Sequence, residues 1–260
     1  MGYTLASMGD SVSRAVRFQA ASDQGLIVYF RPAANDGETP GPHGIIARRH
    51  FPTQVTIEGH ERVRKLLRMI ELEPVPGVRN FHPAYSSLLI KFDPLKLRHE
   101  DLEDILRDFL DRMDKVNLPE PRRVEIPVCY GGEFGPDLID VAELHRLTPE
   151  RVVDLHASAP YVAYFLGFVP GFAYLGELPP ELATPRLPTP RRSVPPGSVG
   201  IAGSQTGVYP ISTPGGWRLL GRTPLAMFRP DRAEMSLLSI GDRVQFAPIS
   251  RQLFAKLENP

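Results

Sequence analysis

The sequence predicts an α+β protein of two domains, a small two-layer α+β domain followed by a larger β-rich domain. Strand-like and helix-like segments alternate before residue 118, whereas helical periodicity ends near His156 and turn-forming residues dominate afterwards. The chain has 260 residues, 42% of them hydrophobic, which is enough for two cores. We therefore assign residues 1–118 to the first domain and residues 119–260 to the second.

The first domain combines four predicted strands with two predicted helices on one face of a sheet. Runs rich in valine, isoleucine and aromatic residues predict the strands, over residues 13–19, 25–30, 78–84 and 87–92. Apolar residues that recur every three or four positions predict helices over residues 57–73 and 102–113. Residues 31–54 carry several prolines and no apolar periodicity, which predicts a surface loop inserted into this domain.

A proline-containing linker over residues 117–121 introduces the second domain, because prolines end the preceding helix and stiffen the chain after it. A predicted strand over residues 123–130 leads to a helix that ends near Leu147. Thr148 as N-cap and Pro149 at the first helical position predict a second helix. The rest of the sequence predicts only strands and turns, arranged as a barrel or a sandwich.

The segment over residues 165–223 is dense in glycine, proline and aromatic residues, and we predict that it carries a binding site. Glycine permits positive φ and proline presets φ, so this composition fixes the turns. Its cationic, amide, hydroxyl and aromatic side chains suit a small ligand with a carboxylate, phosphate or amide group. The predicted substrate-binding residues are Tyr174, Arg191, Gln205, Thr206, Trp217 and Arg222.

These positions have alternative roles, and for Arg191 the alternative is an ordinary solvent-exposed side chain. Aromatic residues such as Tyr174 and Trp217 commonly pack in a core, and Arg222 has a structural salt bridge as its alternative role. Gln205 and Thr206, flanked by glycines, are also typical of an ordinary turn.

His156, at the end of the second helix of this domain, is the one candidate catalytic residue, as a general base. Its alternative role is a cationic partner for the helix dipole. Asp137 is predicted to stabilise the N-terminus of the preceding helix. The glycines at 131, 132 and 135 lack the lysine and hydroxyl of a P-loop and therefore predict a structural turn. No spacing of ligand-type residues predicts a metal site.

Composition excludes several function classes. Thirty basic and thirty acidic residues give a net charge of zero, which argues against nucleic acid as a partner. No apolar run reaches the roughly 18 residues of a membrane span, and the first residues lack the pattern of a secretion signal. The single cysteine, Cys129, is expected to be a buried core thiol. We therefore expect a cytoplasmic protein without a membrane partner.

A set of short motifs in the second domain occurs in the order found in a known family. The motifs are YGG (130–132), GPDL (135–138), PGF (170–172), YLG (174–176), GSVGIAG (197–203), QTG (205–207), PGGW (214–217) and GRTP (221–224). The sequence resembles the family of 5-oxoprolinase B subunits, also called the Kip-type kinase inhibitor or allophanate hydrolase subunit 1 family. It is similar as well to one half of the carboxyltransferase region of urea carboxylases. The match is dense over residues 124–248, whereas residues 31–54 depart from it.

The resemblance implies that the second domain is a cyclophilin-like β-barrel and that the chain has protein partners. It implies a 5-oxoprolinase in which this chain, as the B subunit, acts with the A and C subunits to open 5-oxo-L-proline to L-glutamate. The complex uses ATP, although this chain has no P-loop, and the chain is expected to be inactive alone. Two alternative functions are inhibition of a sensor histidine kinase and a carboxyltransferase-type role on urea or allophanate.

Overall fold

The structure is a computed structural model that describes residues 16–30 and 57–258. The chain separates into two compact units, Met1–Pro119 and Glu120–Pro260. The predicted loop insertion over residues 31–54 lies outside the described residues.

The first unit contains a four-stranded antiparallel sheet in the order β1-β2-β4-β3. Its strands are β1 (Val16–Ser22), β2 (Gly25–Phe30), β3 (Val78–Pro83) and β4 (Ser87–Phe92). Its helices are α1 (Ile57–Leu72) and α2 (His99–Arg112). The alternating and helical apolar positions become fully buried: Leu26, Val28, Val63, Leu66, Leu88, Ile90, Leu102 and Leu106. Helix α1 packs against β2, β4 and α2, so the unit has the predicted two-layer arrangement.

The second unit is a closed barrel of seven strands with a two-stranded ribbon beside it. The barrel strands are β5 (Arg123–Tyr130), β6 (Tyr161–Leu166), β7 (Ala173–Gly176), β9 (Ser198–Ala202), β10 (Gln205–Val208), β12 (Arg218–Arg222) and β13 (Arg243–Pro248). They follow the order β10-β7-β6-β13-β5-β12-β9, and β9 pairs with β10 to close the barrel. Strands β5 and β13 are parallel, and the other neighbours are antiparallel.

The ribbon consists of β8 (Arg191–Val194) and β11 (Thr213–Gly215). Three helices complete the unit: α3 (Leu138–His145), α4 (Pro149–Ser158) and α5 (Arg251–Glu258). Thr148 caps α4 as predicted, because its hydroxyl accepts a hydrogen bond from the Arg151 amide at 3.2 Å. No helix in the part of the chain that the structure describes is long and apolar enough to cross a membrane.

The barrel interior is filled by apolar side chains that alternate along the strands. Fully buried examples are Ile126, Val128, Leu175, Val199, Ile201 and Leu220. Gly221 allows β12 and β5 to approach closely, since a Cβ there would lie 2.7 Å from the Cys129 carbonyl oxygen. Cys129 is itself 6% exposed, which agrees with the predicted core thiol, and burial raises its pKa.

The predicted α+β fold with a β-barrel second domain is confirmed. One part of the prediction is wrong: the chain after residue 156 contains a helix, α5, as well as strands and turns. In α5 only Phe254 is buried, where its ring packs 4.6 Å from that of Phe134. A helix of eight residues with a single buried side chain gives little periodic signal, which explains the error.

Candidate functional site

Aromatic side chains form a second apolar cluster on the outer face of the barrel wall. We call Phe172, Tyr174, Tyr209 and Trp217 the outer aromatic cluster. The Phe172 ring lies 4.9 Å from Tyr174, 5.3 Å from Tyr209 and 5.4 Å from Trp217, each in an edge-to-face arrangement. Tyr174, which is half-buried, also stacks on Phe165 at 4.4 Å. Trp217 is 5% exposed, so most of its side chain is packed within this cluster.

Three glycines make room for this cluster against the strands. A Cβ at Gly207 would lie 3.1 Å from the Phe172 ring, and a Cβ at Gly200 would lie 3.2 Å from the Trp217 Cβ. A Cβ at Gly215 would lie only 2.5 Å from the Tyr209 hydroxyl. These close contacts explain why the motifs that resemble the family are rich in glycine at these positions.

A buried carboxylate holds Arg191 beside the cluster. The Arg191 Nη2 donates to Asp137 Oδ1 at 2.6 Å, and its Nη1 donates to the Trp217 carbonyl oxygen at 3.4 Å. Asp137 Oδ2 accepts a hydrogen bond from the Leu219 amide at 2.7 Å. The Asp137 side chain is 5% exposed and that of Arg191 is 27% exposed, so the guanidinium is braced but still reaches solvent.

Two arginine side chains influence the two cluster tyrosines. Burial raises the pKa of Tyr174 and of Tyr209, and the positive charge of Arg186 opposes both shifts. Arg191 also opposes the shift at Tyr209. Two guanidinium groups therefore lie near these tyrosines, and that of Arg191 is already paired with Asp137. Arg186 is exposed.

Strand β10 places two of the predicted binding residues on opposite faces. Gly207 faces the outer aromatic cluster, so Gln205 shares that outer face by the two-residue period of a strand. Thr206 points into the barrel and is fully buried. The structure therefore brings together Tyr174, Arg191 and Trp217, places Gln205 on the same face of the wall, and places Thr206 on the opposite face.

His156 lies in the middle of a buried chain of hydrogen bonds in which both of its ring nitrogens have a partner. The Thr206 hydroxyl donates to the Gly200 carbonyl oxygen at 3.1 Å, so its oxygen accepts from His156 Nε2 at 2.8 Å. His156 Nδ1 then accepts from the Tyr130 hydroxyl at 2.8 Å. The His156 ring also stacks on Phe246 at 4.6 Å.

This environment differs from both roles that the sequence suggested for His156. The side chain is 0% exposed, and both ring nitrogens are engaged within the protein, so the ring has no open route to a substrate. Burial lowers the pKa of His156 to about 3, so the imidazole is neutral and is not a cationic partner for the helix dipole. These are the contacts of a buried group within the protein, and the general-base role of His156 stays a prediction from the sequence.

Arg222 lies at the opposite end of β12 from Trp217. Five positions along a strand span about 16 Å at ~3.3 Å per residue, so the Arg222 backbone lies far from that of Trp217. Its Nε donates to the Pro196 carbonyl oxygen at 2.9 Å, and its Nη2 lies 3.4 Å from Glu258 Oε1. The Phe254 ring lies 5.8 Å from its guanidinium carbon. The structure thus places Arg222 in a contact with helix α5 and apart from the other predicted binding residues.

Asp137 and Tyr209 are the residues that the sequence reasoning missed. Asp137 was predicted to cap α3, but its carboxylate makes no capping hydrogen bond and instead contacts Arg191 and Leu219. That partner lies 54 positions away, so sequence spacing could not show it. Tyr209 follows a buried strand and precedes the two glycines before Trp217. Glycines in such a position often mark a close approach, so the sequence could have suggested that the Tyr209 ring packs against that turn.

An open surface depression lies beside the site, and a smaller one lies near Arg122 and Arg229. The larger, of about 420 Å³, is lined by the β6–β7 turn and by the loop after β12, including Phe168, Val169, Pro170, Phe228 and Met235. Phe168 is 59% exposed, and its ring meets that of Phe172 edge-on at 5.6 Å. This depression therefore adjoins the outer aromatic cluster. Among the described residues, no group of three acidic, histidine or cysteine side chains is arranged to hold a metal ion.

Together these elements define an α+β protein with a closed β-barrel and a cationic, aromatic surface on its outer wall. Residues 42–238 match the family described as the carboxyltransferase domain, subdomain C and D. The chain therefore belongs to this family, which confirms the resemblance in its motifs.

Relatives of known name share much of the sequence. The chain is 49% identical over 193 residues to the 5-oxoprolinase B subunit of Bacillus subtilis strain 168, covering 70% of this chain and 80% of the relative. It is 45% identical over 199 residues to the 5-oxoprolinase B subunit of Escherichia coli O157:H7, covering 75% of this chain and 88% of that relative.

Two solved structures that share the fold belong to longer chains. The crystal structure of TTHA0988 matches with a TM-score of 0.68 and 40% identity over 77% of this chain. This chain spans 38% of the length of that protein. The urea carboxylase of Kluyveromyces lactis matches with a TM-score of 0.68 over 93% of this chain and 22% of its own, but at 17% identity it supports the fold alone.

Proposed function

We propose that this chain is the B subunit of an ATP-dependent 5-oxoprolinase, which opens 5-oxo-L-proline to L-glutamate together with the A and C subunits. The observation that carries the proposal is the 45–49% identity to relatives of this name over most of the chain. The substrate, 5-oxo-L-proline, carries a carboxylate and a ring amide. The reaction adds water across the C–N bond of that amide and so opens the ring.

The surface on the outer wall fits these two groups. Arg191, braced by Asp137, supplies a cationic fork for the carboxylate. The amide of Gln205 can pair with the lactam, and the edge of Tyr174 can cover the apolar ring atoms.

The openness of this surface supports the need for partner subunits. Pockets for small molecules bury most of the ligand surface. Arg191 is 27% exposed, and the adjoining depression is open. A second polypeptide laid over this face would enclose the ligand, so we propose that the chain is inactive alone and that the C subunit completes the site.

The glycine-rich turn of this chain does not fit a nucleotide phosphate. Its amides at Gly131, Gly135 and Asp137 each donate to a backbone carbonyl oxygen at 3.0 Å, so they are not available to a ligand. We therefore propose that ATP binds elsewhere in the complex, and we assign no step on ATP to the residues of this chain. A cytoplasmic location, where ATP and the partners would be present, is part of the same proposal.

The test is reconstitution from purified subunits. The three subunits together should release glutamate from 5-oxo-L-proline only when ATP is present, and omission of this chain should abolish the release. A complete mixture that assembles but releases no glutamate would exclude the proposed function.

A carboxyltransferase-type role on urea or allophanate is the second candidate. It is favoured by a 23% identical match over 232 residues to the urea amidolyase of Saccharomyces cerevisiae, of which this chain covers 12%. It predicts urea-dependent turnover with a biotin-bearing partner and no turnover of 5-oxo-L-proline. Inhibition of a histidine kinase, the other alternative from the sequence, gains no support from these relatives.

A further inference from the structure

Asp137 is fixed to the barrel wall more firmly than an ordinary surface carboxylate. Its amide donates to the Leu219 carbonyl oxygen at 3.0 Å, and its Oδ2 accepts from the Leu219 amide at 2.7 Å. Gly135, two residues earlier, lies so close to β12 that a Cβ there would overlap the Leu220 carbonyl oxygen. Backbone contacts therefore set the position of this carboxylate before Arg191 is considered.

The second carboxylate oxygen is the one that meets Arg191, which lies on the ribbon strand β8. A guanidinium carries five N–H donors, and the contacts to Asp137 and to the Trp217 carbonyl engage two of its nitrogens. The remaining donors keep a defined direction because the planar group is held at two points. A long arginine side chain without such a brace would lose rotamer entropy on binding a ligand.

We propose that Asp137 is a positioning residue for substrate binding, which holds the Arg191 guanidinium ready for the carboxylate of the substrate. The inference rests on the proposed function for the identity of the substrate, 5-oxo-L-proline, and on the geometry alone for the order of Arg191. Asp137 itself contacts no substrate in this scheme, and its effect passes through Arg191.

The molecule contains a matched control for this claim. Asp242 is also a buried carboxylate, 4% exposed, that accepts from an arginine and from a backbone amide. Its Oδ2 accepts from Arg122 Nη2 at 2.6 Å and from the Ser239 amide at 2.7 Å. This pair involves none of the predicted binding residues, so Asp242→Asn should affect stability without affecting substrate binding.

The first measurement uses the reconstituted three-subunit complex. Asp137→Asn keeps an oxygen for the Leu219 amide but loses the charge that holds Arg191. We expect it to raise the KM for 5-oxo-L-proline about 10-fold with little change in kcat, the size expected for one charged hydrogen bond. Arg191→Ala should raise KM at least as much, and the double variant should be no worse than Arg191→Ala. Additive effects in the double variant would overturn the proposal, as would an equal KM increase in Asp242→Asn.

The second measurement does not depend on the reaction. Nitrogen-15 spectra of the full chain report the order of arginine side chains, and the Arg191 Nε signal can be assigned with Arg191→Lys. In the wild-type chain this signal should be sharp and lie away from the averaged position of mobile arginine side chains. In Asp137→Asn it should move toward that averaged position. An Arg191 signal unchanged by Asp137→Asn would overturn the positioning role. If the wild-type complex does not turn over 5-oxo-L-proline, the proposed function fails, and the spectra still decide the role of Asp137.

Discussion

Two polar clusters lie on opposite faces of the same barrel wall, and they differ in how completely their hydrogen-bonding groups are used. Inside the barrel, Tyr130, His156 and Thr206 form a chain that ends on a backbone carbonyl, and both nitrogens of the imidazole are engaged. Outside, Asp137 and Arg191 form a pair in which the guanidinium stays partly exposed. A closed buried network stabilises a fold, whereas a braced group that still reaches solvent is suited to binding.

The largest expected effect comes from removing the centre of the inner chain. His156→Ala leaves the Tyr130 and Thr206 hydroxyls without their partner and opens a cavity, so we expect the free energy of unfolding to fall by about 3–5 kcal/mol. Urea unfolding measures this loss. The matched control is His145→Ala, because His145 is half-buried and makes one hydrogen bond of 2.8 Å to Thr184; we expect a loss of about 1 kcal/mol. If both variants lost the same free energy of unfolding, a histidine with two buried hydrogen bonds would be no more important for stability than one with a single, partly buried hydrogen bond.

The buried position of His156 should also make the stability of the fold depend on pH. Burial lowers the pKa of His156 from 6.5 to about 3, so the unfolded chain binds a proton that the folded chain does not bind between these values. The free energy of unfolding therefore has its full value above pH 6.5, as far as His156 is concerned. It falls as the pH drops from 6.5 toward 3, by about 1.4 kcal/mol per pH unit at most. Urea titrations at several pH values should show this slope in the wild type and a smaller one in His156→Gln. The same slope in both proteins would assign the acid sensitivity to other groups.

The outer cluster can be tested with two adjacent glycines. A Cβ at Gly215 would lie 2.5 Å from the Tyr209 hydroxyl, whereas a Cβ at Gly216 would meet Pro190 at an ordinary 3.6 Å. Gly215→Ala should therefore cost about 1–3 kcal/mol and Gly216→Ala less than about 0.5 kcal/mol. Trp217 is the single tryptophan of the chain, so its fluorescence reports the rearrangement directly. An unchanged emission spectrum in Gly215→Ala would contradict the expected rearrangement, because it would show that the surroundings of Trp217 are unaffected.

The fold could be predicted from the sequence because the signals are local. Apolar periodicity predicted α2, and the Thr148 and Pro149 pair predicted the start of α4. The site was predicted less well because its geometry depends on pairing between distant segments. The period of a strand could have shown that Gln205 and Thr206 face opposite ways, but the contact between Asp137 and Arg191 needs the closed barrel and the ribbon together.

The smallest expected effect concerns Arg222, one of the predicted substrate-binding residues. Its contacts to the Pro196 carbonyl oxygen and to Glu258 are partly exposed, and such ion pairs contribute about 0–1 kcal/mol. Arg222→Ala should therefore lower the free energy of unfolding by less than about 1 kcal/mol and leave the KM for 5-oxo-L-proline unchanged in the reconstituted complex. Arg191→Ala in the same assay is the positive control. A KM increase in Arg222→Ala as large as that in Arg191→Ala would mean that the ligand site extends to the α5 end of β12, where Arg222 contacts Pro196 and Glu258.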